Sequence, residues 1–104
     1  MILYKDASIA NYAQKYIFIC GGYNDKTIDS SVKNAPIPTR MVQCFDIKDE
    51  EWSLAPLLNK GRVSHASCAL GKYLYVFLGY SADAAETSIE RLTVDDPDAE
   101  WELL

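Results

Sequence analysis

The run YIFICGGY at residues 16–23 is repeated as YLYVFLGY at residues 73–80, and this pair decides the fold. Each run is apolar and closes with glycine and tyrosine. A polar loop, another alternating stretch and a lone tryptophan follow each run, and Trp52 and Trp101 lie 49 positions apart. A repeat of about 50 residues made of short strands predicts a radial array of β-sheets.

Alternating apolar residues and turn signals divide each repeat into four short strands. The predicted strands are 8–13, 16–22, 40–47 and 52–58 in the first repeat, and 63–70, 73–79, 88–94 and 101–104 in the second. Most connections are short enough for hairpins, apart from a polar loop at 23–39. The sequence therefore predicts an all-β chain with two four-stranded antiparallel sheets, one over residues 1–58 and one over residues 59–104.

Composition excludes several classes of function. The chain has 104 residues, enough for one domain, and a net charge of −5, which argues against a nucleic-acid partner because phosphate binding needs a basic surface. No apolar run approaches the roughly 18 residues of a membrane helix, and no signal peptide is recognisable. Three cysteines, at positions 20, 44 and 68, predict reduced, buried thiols in a cytoplasmic protein.

A family resemblance rests on residues of both repeats. The first repeat has Gly21-Gly22 after its apolar strand and Phe45-Asp46-Ile47 before its tryptophan, and Arg62 precedes the next inner strand. The second repeat has the apolar strand 73–79, then Ser88-Ile89-Glu90 and its tryptophan. With these residues the chain resembles two consecutive kelch repeats, the blades of a β-propeller.

The chain departs from the kelch pattern at two positions. The paired glycine is Leu78-Gly79 in the second repeat, and the usual glutamate after the loop is Gln43 in the first repeat and Glu90 in the second.

The resemblance implies a ring, usually of six or seven blades. Two blades would leave an apolar face exposed at each end, and roughly 400 Å² of it would forfeit up to about 10 kcal/mol. We therefore expect further blades in a longer parent chain, or self-association of copies into a ring.

The resemblance also implies a binding rim, where a protein or peptide ligand contacts the loops that flank the inner strands. The candidate binding residues are Tyr23, Asn24, Asp25, Arg62, Ser64, His65 and Tyr80. An exposed tyrosine beside an arginine is typical of interface hot spots. The alternative is that the two tyrosines pack on neighbouring blades and that Arg62 makes a structural contact. The predicted structural residues are Gly21, Gly22, Trp52, Gly79, Glu90 and Trp101.

The sequence does not favour catalysis. Ser64 and His65 are neighbours on a predicted strand, so their side chains point to opposite faces and form no triad. One histidine and three scattered cysteines have no metal-ligand spacing, and no cofactor is implied. We therefore predict an intracellular protein-interaction module, a scaffold or substrate-recognition part of a propeller. The alternatives are a fragment of a kelch-like enzyme, an oxidase or a sugar isomerase, and a fragment without a function of its own.

Overall fold

The computed structural model describes residues 1–24, 28–29, 35–81 and 84–104. Within these residues the chain forms ten strands: β1 (Ser8–Tyr12), β2 (Tyr16–Cys20), β3 (Ile28–Asp29), β4 (Ala35–Pro36), β5 (Val42–Asp46), β6 (Glu51–Ala55), β7 (Ala66–Leu70), β8 (Tyr73–Phe77), β9 (Ile89–Thr93) and β10 (Glu102–Leu103). Each predicted strand segment contains or overlaps one of these strands. The boundary between the two repeats, at residues 58 and 59, stays a prediction.

Two four-stranded antiparallel sheets form the molecule, which confirms the all-β prediction. Blade 1 has the strand order β1-β2-β5-β6, and blade 2 has the order β7-β8-β9-β10. The segment 23–39 was expected to be a loop. Instead, the short strands β3 and β4 pair within it, with Ile28 opposite Pro36. Proline and the residue before it favour extended backbone, and an extended backbone can pair as a short strand.

The loops of the two inner hairpins differ in length by one residue. Tyr12 pairs with Tyr16 across a three-residue loop, in which Ala13 and Gln14 both have positive φ. Leu70 pairs with Tyr73 across a two-residue loop, Gly71-Lys72. The first inner strand is therefore offset by 58 positions from its counterpart, while the next strand is offset by 57.

The core lies between the two sheets. Residues that pair across a sheet point to the same face of that sheet. One face of blade 1 packs against one face of blade 2. We call this side of blade 1 its trailing face, and the side of blade 2 that meets it the leading face of blade 2. The buried apolar residues form one cluster: Ala10, Tyr12, Phe18, Cys20, Val42, Cys44, Leu58, Leu74, Val76, Leu92 and Trp101.

The outer faces explain why similar side chains differ in burial. Trp101 is 5 % exposed, whereas Trp52 is 40 % exposed, because Trp52 lies on the side of blade 1 that no described sheet covers. All three cysteines are free, and Cys20 and Cys44 are buried. The prediction that Cys68 is buried is wrong, because Cys68 lies on the side of blade 2 that points away from blade 1.

Candidate functional site

The rim is formed where the apolar strands end and the inner strands begin. Tyr23 pairs with Lys5, and Tyr80 pairs with Val63, each through two backbone hydrogen bonds of 2.6–2.9 Å. Gly79 has φ +87°, and a Cβ there would lie 2.5 Å from the Val63 carbonyl oxygen. The glycine thus lets the loop approach the segment that enters blade 2. The fold therefore places the two tyrosines at equivalent positions of the two repeats.

The candidate rim residues differ in accessibility. Tyr80 and Ser64 are exposed, while Tyr23 and Asn24 are half-buried. The Asn24 side-chain amide donates a hydrogen bond of 3.3 Å to the Leu3 carbonyl oxygen. Asp25 lies outside the described residues. Tyr80 is thus the candidate whose ring is most available to a partner among those that the structure describes.

Arg62 is not an exposed rim residue. Its side chain is fully buried, and its Nη2 atom lies 2.7 Å from Glu90 Oε2, also fully buried. The guanidinium also donates to the Ser88 carbonyl oxygen at 2.8 Å and to Ser88 Oγ at 3.0 Å. Every one of these acceptors belongs to the chain itself, so the polar contacts of the Arg62 side chain are internal.

Glu90 holds the segment that connects the blades. Its carboxylate accepts hydrogen bonds from the backbone amides of Asn59 at 2.6 Å and Lys60 at 3.1 Å. Together with Arg62, these donors satisfy a buried carboxylate that would otherwise be costly. The arrangement, which we call the Glu90 clip, fixes where the connecting segment crosses the second sheet.

Blade 1 has an uncharged version of the same clip. Gln43 occupies the position of Glu90, and its Oε1 accepts from the Ile2 amide at 2.7 Å while its Nε2 donates to the Ile2 carbonyl oxygen at 2.9 Å. Tyr4 takes the place of Arg62 and its hydroxyl contacts Met41 Sδ at 3.6 Å. Residues 1–5 therefore follow the same path across blade 1 that residues 59–63 follow across blade 2.

His65 connects the two blades. Its Nε2 atom lies 2.8 Å from Ser8 Oγ, and a Cβ at Gly21 would lie 2.7 Å from the His65 ring. Burial, and secondarily the positive charge of Arg62, lowers the pKa of His65 from 6.5 to about 4. A serine–histidine contact is also found in hydrolases, but Ser8 is buried, so this hydroxyl is a contact between blades.

The outer part of the junction is held by Trp101. Its indole Nε1 donates a hydrogen bond of 2.8 Å to the Pro56 carbonyl oxygen, and its own carbonyl oxygen accepts from Asn59 Nδ2 at 2.8 Å. Nearby, Asp95 accepts from the Tyr12 hydroxyl at 3.1 Å and pairs with Lys15 at 3.4 Å. These contacts tie the outer parts of the two blades together, and a cavity of about 270 Å³ remains beside them, lined in part by Pro56, Asn59 and Trp101.

Two other kinds of site are absent from the described residues. These residues contain no group of three histidine, cysteine or acidic side chains placed to hold a metal ion. In the same part of the chain, no helix is long and apolar enough to cross a bilayer.

The sequence missed the partners of the predicted residues. Ser8, the contact of His65, lies 57 positions away in a strand whose sequence predicts only burial. Leu78 has φ +64°, a backbone conformation that favours glycine, and it is exposed beside Tyr80 on the rim. One signal for Leu78 was available, because the first repeat has Gly21 at the same position.

Comparison with known proteins supports a kelch-like blade. A curated relative, Kelch repeat protein M-T8 of Myxoma virus (strain Lausanne), is 34 % identical over 65 residues. The aligned stretch covers 62 % of this chain but only 13 % of that viral protein. No protein-family model matches the chain. The all-β fold with two four-stranded sheets fits the similarity to a kelch repeat protein.

Proposed function

We propose that the chain is a protein-interaction module, two blades of a kelch-type propeller that recognises a protein or peptide at its rim. The observation that carries the proposal is the repeated rim geometry, in which Tyr23 and Tyr80 are fixed to the entering segments by paired backbone hydrogen bonds. A rigid loop loses little conformational entropy on binding, and exposed tyrosine is a frequent interface anchor.

The contact surface of blade 2 consists of Leu78, Tyr80 and Ser64. All three are exposed, and the loop behind them is held from inside by Arg62, whose Nη1 donates to the Leu78 carbonyl oxygen at 3.3 Å. Arg62 and His65 support this surface from within and would not touch the ligand. Three free thiols favour a reducing compartment such as the cytoplasm. We therefore propose a scaffold or substrate-recognition role there.

A catalytic role has weaker support. The Ser8–His65 contact, the only serine–histidine contact that the described residues show, is buried between the blades. A buried hydroxyl cannot reach a substrate without separating the two sheets. We therefore assign the junction a structural role and the rim the binding role.

Site-specific photo-crosslinking tests the proposal. The full chain would carry benzoylphenylalanine at position 80 or, as the matched control, at position 70, which lies at the opposite end of blade 2. We expect a discrete adduct with a protein of a cell extract from position 80 only, and we expect Leu78→Asp to abolish it. Equal adducts from both positions, or an adduct insensitive to Leu78→Asp, would contradict a rim-based function.

A further inference from the structure

A groove opens between the two blades on the outside of the molecule, towards the end opposite the rim. Its cavity of about 230 Å³ lies between the trailing face of blade 1 and the leading face of blade 2. Tyr16 and Thr93, at the ends of β2 and β9 that point away from the rim, are among its lining residues. The buried side chains of Phe18, Cys44 and Leu92 form its floor. We call this cavity the outer groove.

The outer groove is enclosed by the two described blades themselves. Blade 1 supplies one wall through Ser53 and Ala55 of β6, and blade 2 supplies the other through Val94 and Pro97. All of the lining residues lie within residues 16–97. A further sheet beside this pair would pack against one of the two uncovered faces, so it would leave the groove between the blades unchanged.

One wall of the outer groove is a strand with a free edge. β6 pairs only with β5, and no other described segment forms a backbone hydrogen bond with residues 51–55. Ser53 and Ala55 point into the groove, since they pair with Cys44 and Val42 on the buried face of blade 1. An unpaired strand edge is a template for another strand, and a peptide that adds there sends alternate side chains into the neighbouring cavity. The geometry therefore suits an extended peptide.

The cavity is large enough for an apolar side chain of such a peptide. An apolar protein cavity of about 150 Å³ accepts a benzene molecule, and the outer groove is larger, at about 230 Å³. Its floor consists of a phenylalanine ring, a leucine side chain and a thiol. A polar side chain would lose its hydrogen bonds to water there, so a leucine or a side chain of similar size is preferred.

Charge at this end of the molecule indicates which peptide fits. Asp96 lines the groove, and the turn of blade 1 at residues 46–51 contains four carboxylates and one lysine. The turns of both blades meet at Lys15, whose carbonyl oxygen accepts from the Ile47 amide and whose ammonium group pairs with Asp95. Negative charge is therefore in excess on both walls. A basic segment would be attracted to this end of the groove, and an acidic segment would be repelled.

We propose that the outer groove binds an extended basic peptide of a partner protein, with one apolar side chain in the cavity and lysine or arginine residues beside the acidic turns. The peptide would add to blade 1 as a fifth strand along β6, so that its backbone supplies hydrogen bonds and its apolar residue supplies specificity. This site goes beyond the proposed rim function, because it lies at the other end of the blades and shares no residue with the rim surface.

Fluorescence polarisation with the full chain and labelled synthetic peptides tests the inference. The probe is a heptapeptide with leucine-valine-leucine at its centre and two lysines on each side, a symmetry that leaves the direction of the added strand open. One control peptide has glutamate in place of the lysines, and another has alanine in place of the central residues. We expect saturable binding of the lysine probe with a Kd between about 1 and about 100 µM, and at least about tenfold weaker binding of both controls.

Variants of the chain locate the binding. Ser53→Trp fills the groove and should weaken binding of the lysine probe at least about tenfold. Asp96→Asn removes a charge beside the cavity and should weaken it about two- to fivefold. The matched control is Asp6→Asn, since Asp6 is also exposed but precedes β1 at the rim end. This control and the rim variant Leu78→Asp should leave the binding unchanged, so failure of this inference and failure of the rim function are distinguishable.

Nuclear magnetic resonance on the isotope-labelled chain gives a second measurement. Amide shifts on addition of the lysine probe should concentrate at Ser53, Ala55 and Val94, and not at Ile9 and Ile17 on the side of blade 1 that no described sheet covers. Circular dichroism of each variant identifies misfolding, which would otherwise imitate lost binding.

Four results would overturn the inference. They are the absence of saturable binding up to about 1 mM, equal binding of the lysine and glutamate peptides, shifts confined to Ile9 and Ile17, and binding that Ser53→Trp leaves unchanged. Self-association of the chain that Ser53→Trp abolishes would also overturn it, because the occupant of the groove would then be a second copy.

Discussion

At the scale of single residues, backbone geometry explains why glycine occupies particular turn positions of the repeat. Gly79 must be small for two separate reasons, a positive φ and a carbonyl oxygen directly where a Cβ would stand. Gly71 has only the first constraint, because no atom lies within 4 Å of the position that a Cβ would take in the two-residue turn. Comparing substitutions at Gly79 and Gly71 therefore separates the cost of backbone strain from the cost of a steric clash.

We expect Gly79→Ala to destabilise the protein by about 2–4 kcal/mol and Gly71→Ala by about 1 kcal/mol. The larger effect follows because alanine at position 79 would bring its Cβ to 2.5 Å from the Val63 carbonyl oxygen and displace the rim loop. Urea denaturation of the two variants beside the wild type measures the difference. Equal losses would mean that the close contact relaxes at little cost.

His65 makes stability depend on pH. Its pKa in the folded protein is about 4, below the ordinary value of 6.5, so the folded state binds fewer protons than the unfolded state between these values. The stabilising contribution is complete above pH 6.5 and is lost as the pH falls towards 4. The full difference corresponds to about 3 kcal/mol at 1.36 kcal/mol per pKa unit, reduced by partial solvent exposure.

The variant His65→Gln tests this pH dependence. We expect the wild type to lose stability between about pH 7 and pH 5 and the variant to lose less, because glutamine does not titrate. Acidic side chains titrate mostly below this window, so the difference between the two slopes isolates His65. Parallel slopes for the two proteins would show that His65 titrates normally in the folded state.

At the scale of elements, the two clips show how one backbone path is held by different chemistry. In blade 2 a buried ion pair fixes the connecting segment, and in blade 1 the amide of Gln43 and the ring of Tyr4 stand in the same places. Removing one member of a buried ion pair leaves an uncompensated charge, whereas replacing both members can be nearly neutral.

We expect Glu90→Gln to cost about 3–5 kcal/mol, and the double variant Arg62→Tyr with Glu90→Gln to cost clearly less than the sum of the single changes. The double variant copies the uncharged clip of blade 1 into blade 2. Thermal unfolding of the two singles and the double forms the required cycle. Additive losses would contradict the view that the two clips are interchangeable.

The sequence predicted the elements better than their contacts. The paired apolar runs and the turn glycines placed the strands within a few residues, because period-two alternation and glycine turns are local signals. The sequence could not show that Trp52 is more exposed than Trp101, because the burial of each tryptophan depends on whether another sheet covers it. For Arg62, the alternation pattern gave no sign of Glu90, because their contact joins a connecting segment to a strand 28 positions away.

At the scale of the whole molecule, the core is shared and not divided between the blades. One buried cluster takes residues from both sheets, and blade 1 supplies Phe18 and Cys20 while blade 2 supplies Leu74 and Trp101. Because each sheet has one face in this cluster, neither blade has a core of its own.

We therefore expect the two blades to unfold in a single transition. Far-ultraviolet circular dichroism and tryptophan fluorescence should give coincident denaturation curves, and a peptide of residues 59–104 should be unfolded in isolation. A folded 59–104 peptide, or two separate transitions in the full chain, would show that blade 2 is stable without the other sheet.

The placement of the cysteines has a practical consequence. Cys20 and Cys44 are buried in the junction, and burial raises the pKa of Cys20 to about 12, while Cys68 faces outward. A maleimide or similar alkylating probe should therefore attach once to the native molecule and three times after the blades come apart. Mass spectrometry would count the labels on each chain over time. The rate at which triply labelled chains accumulate would give the rate at which the interior opens, without any engineered reporter.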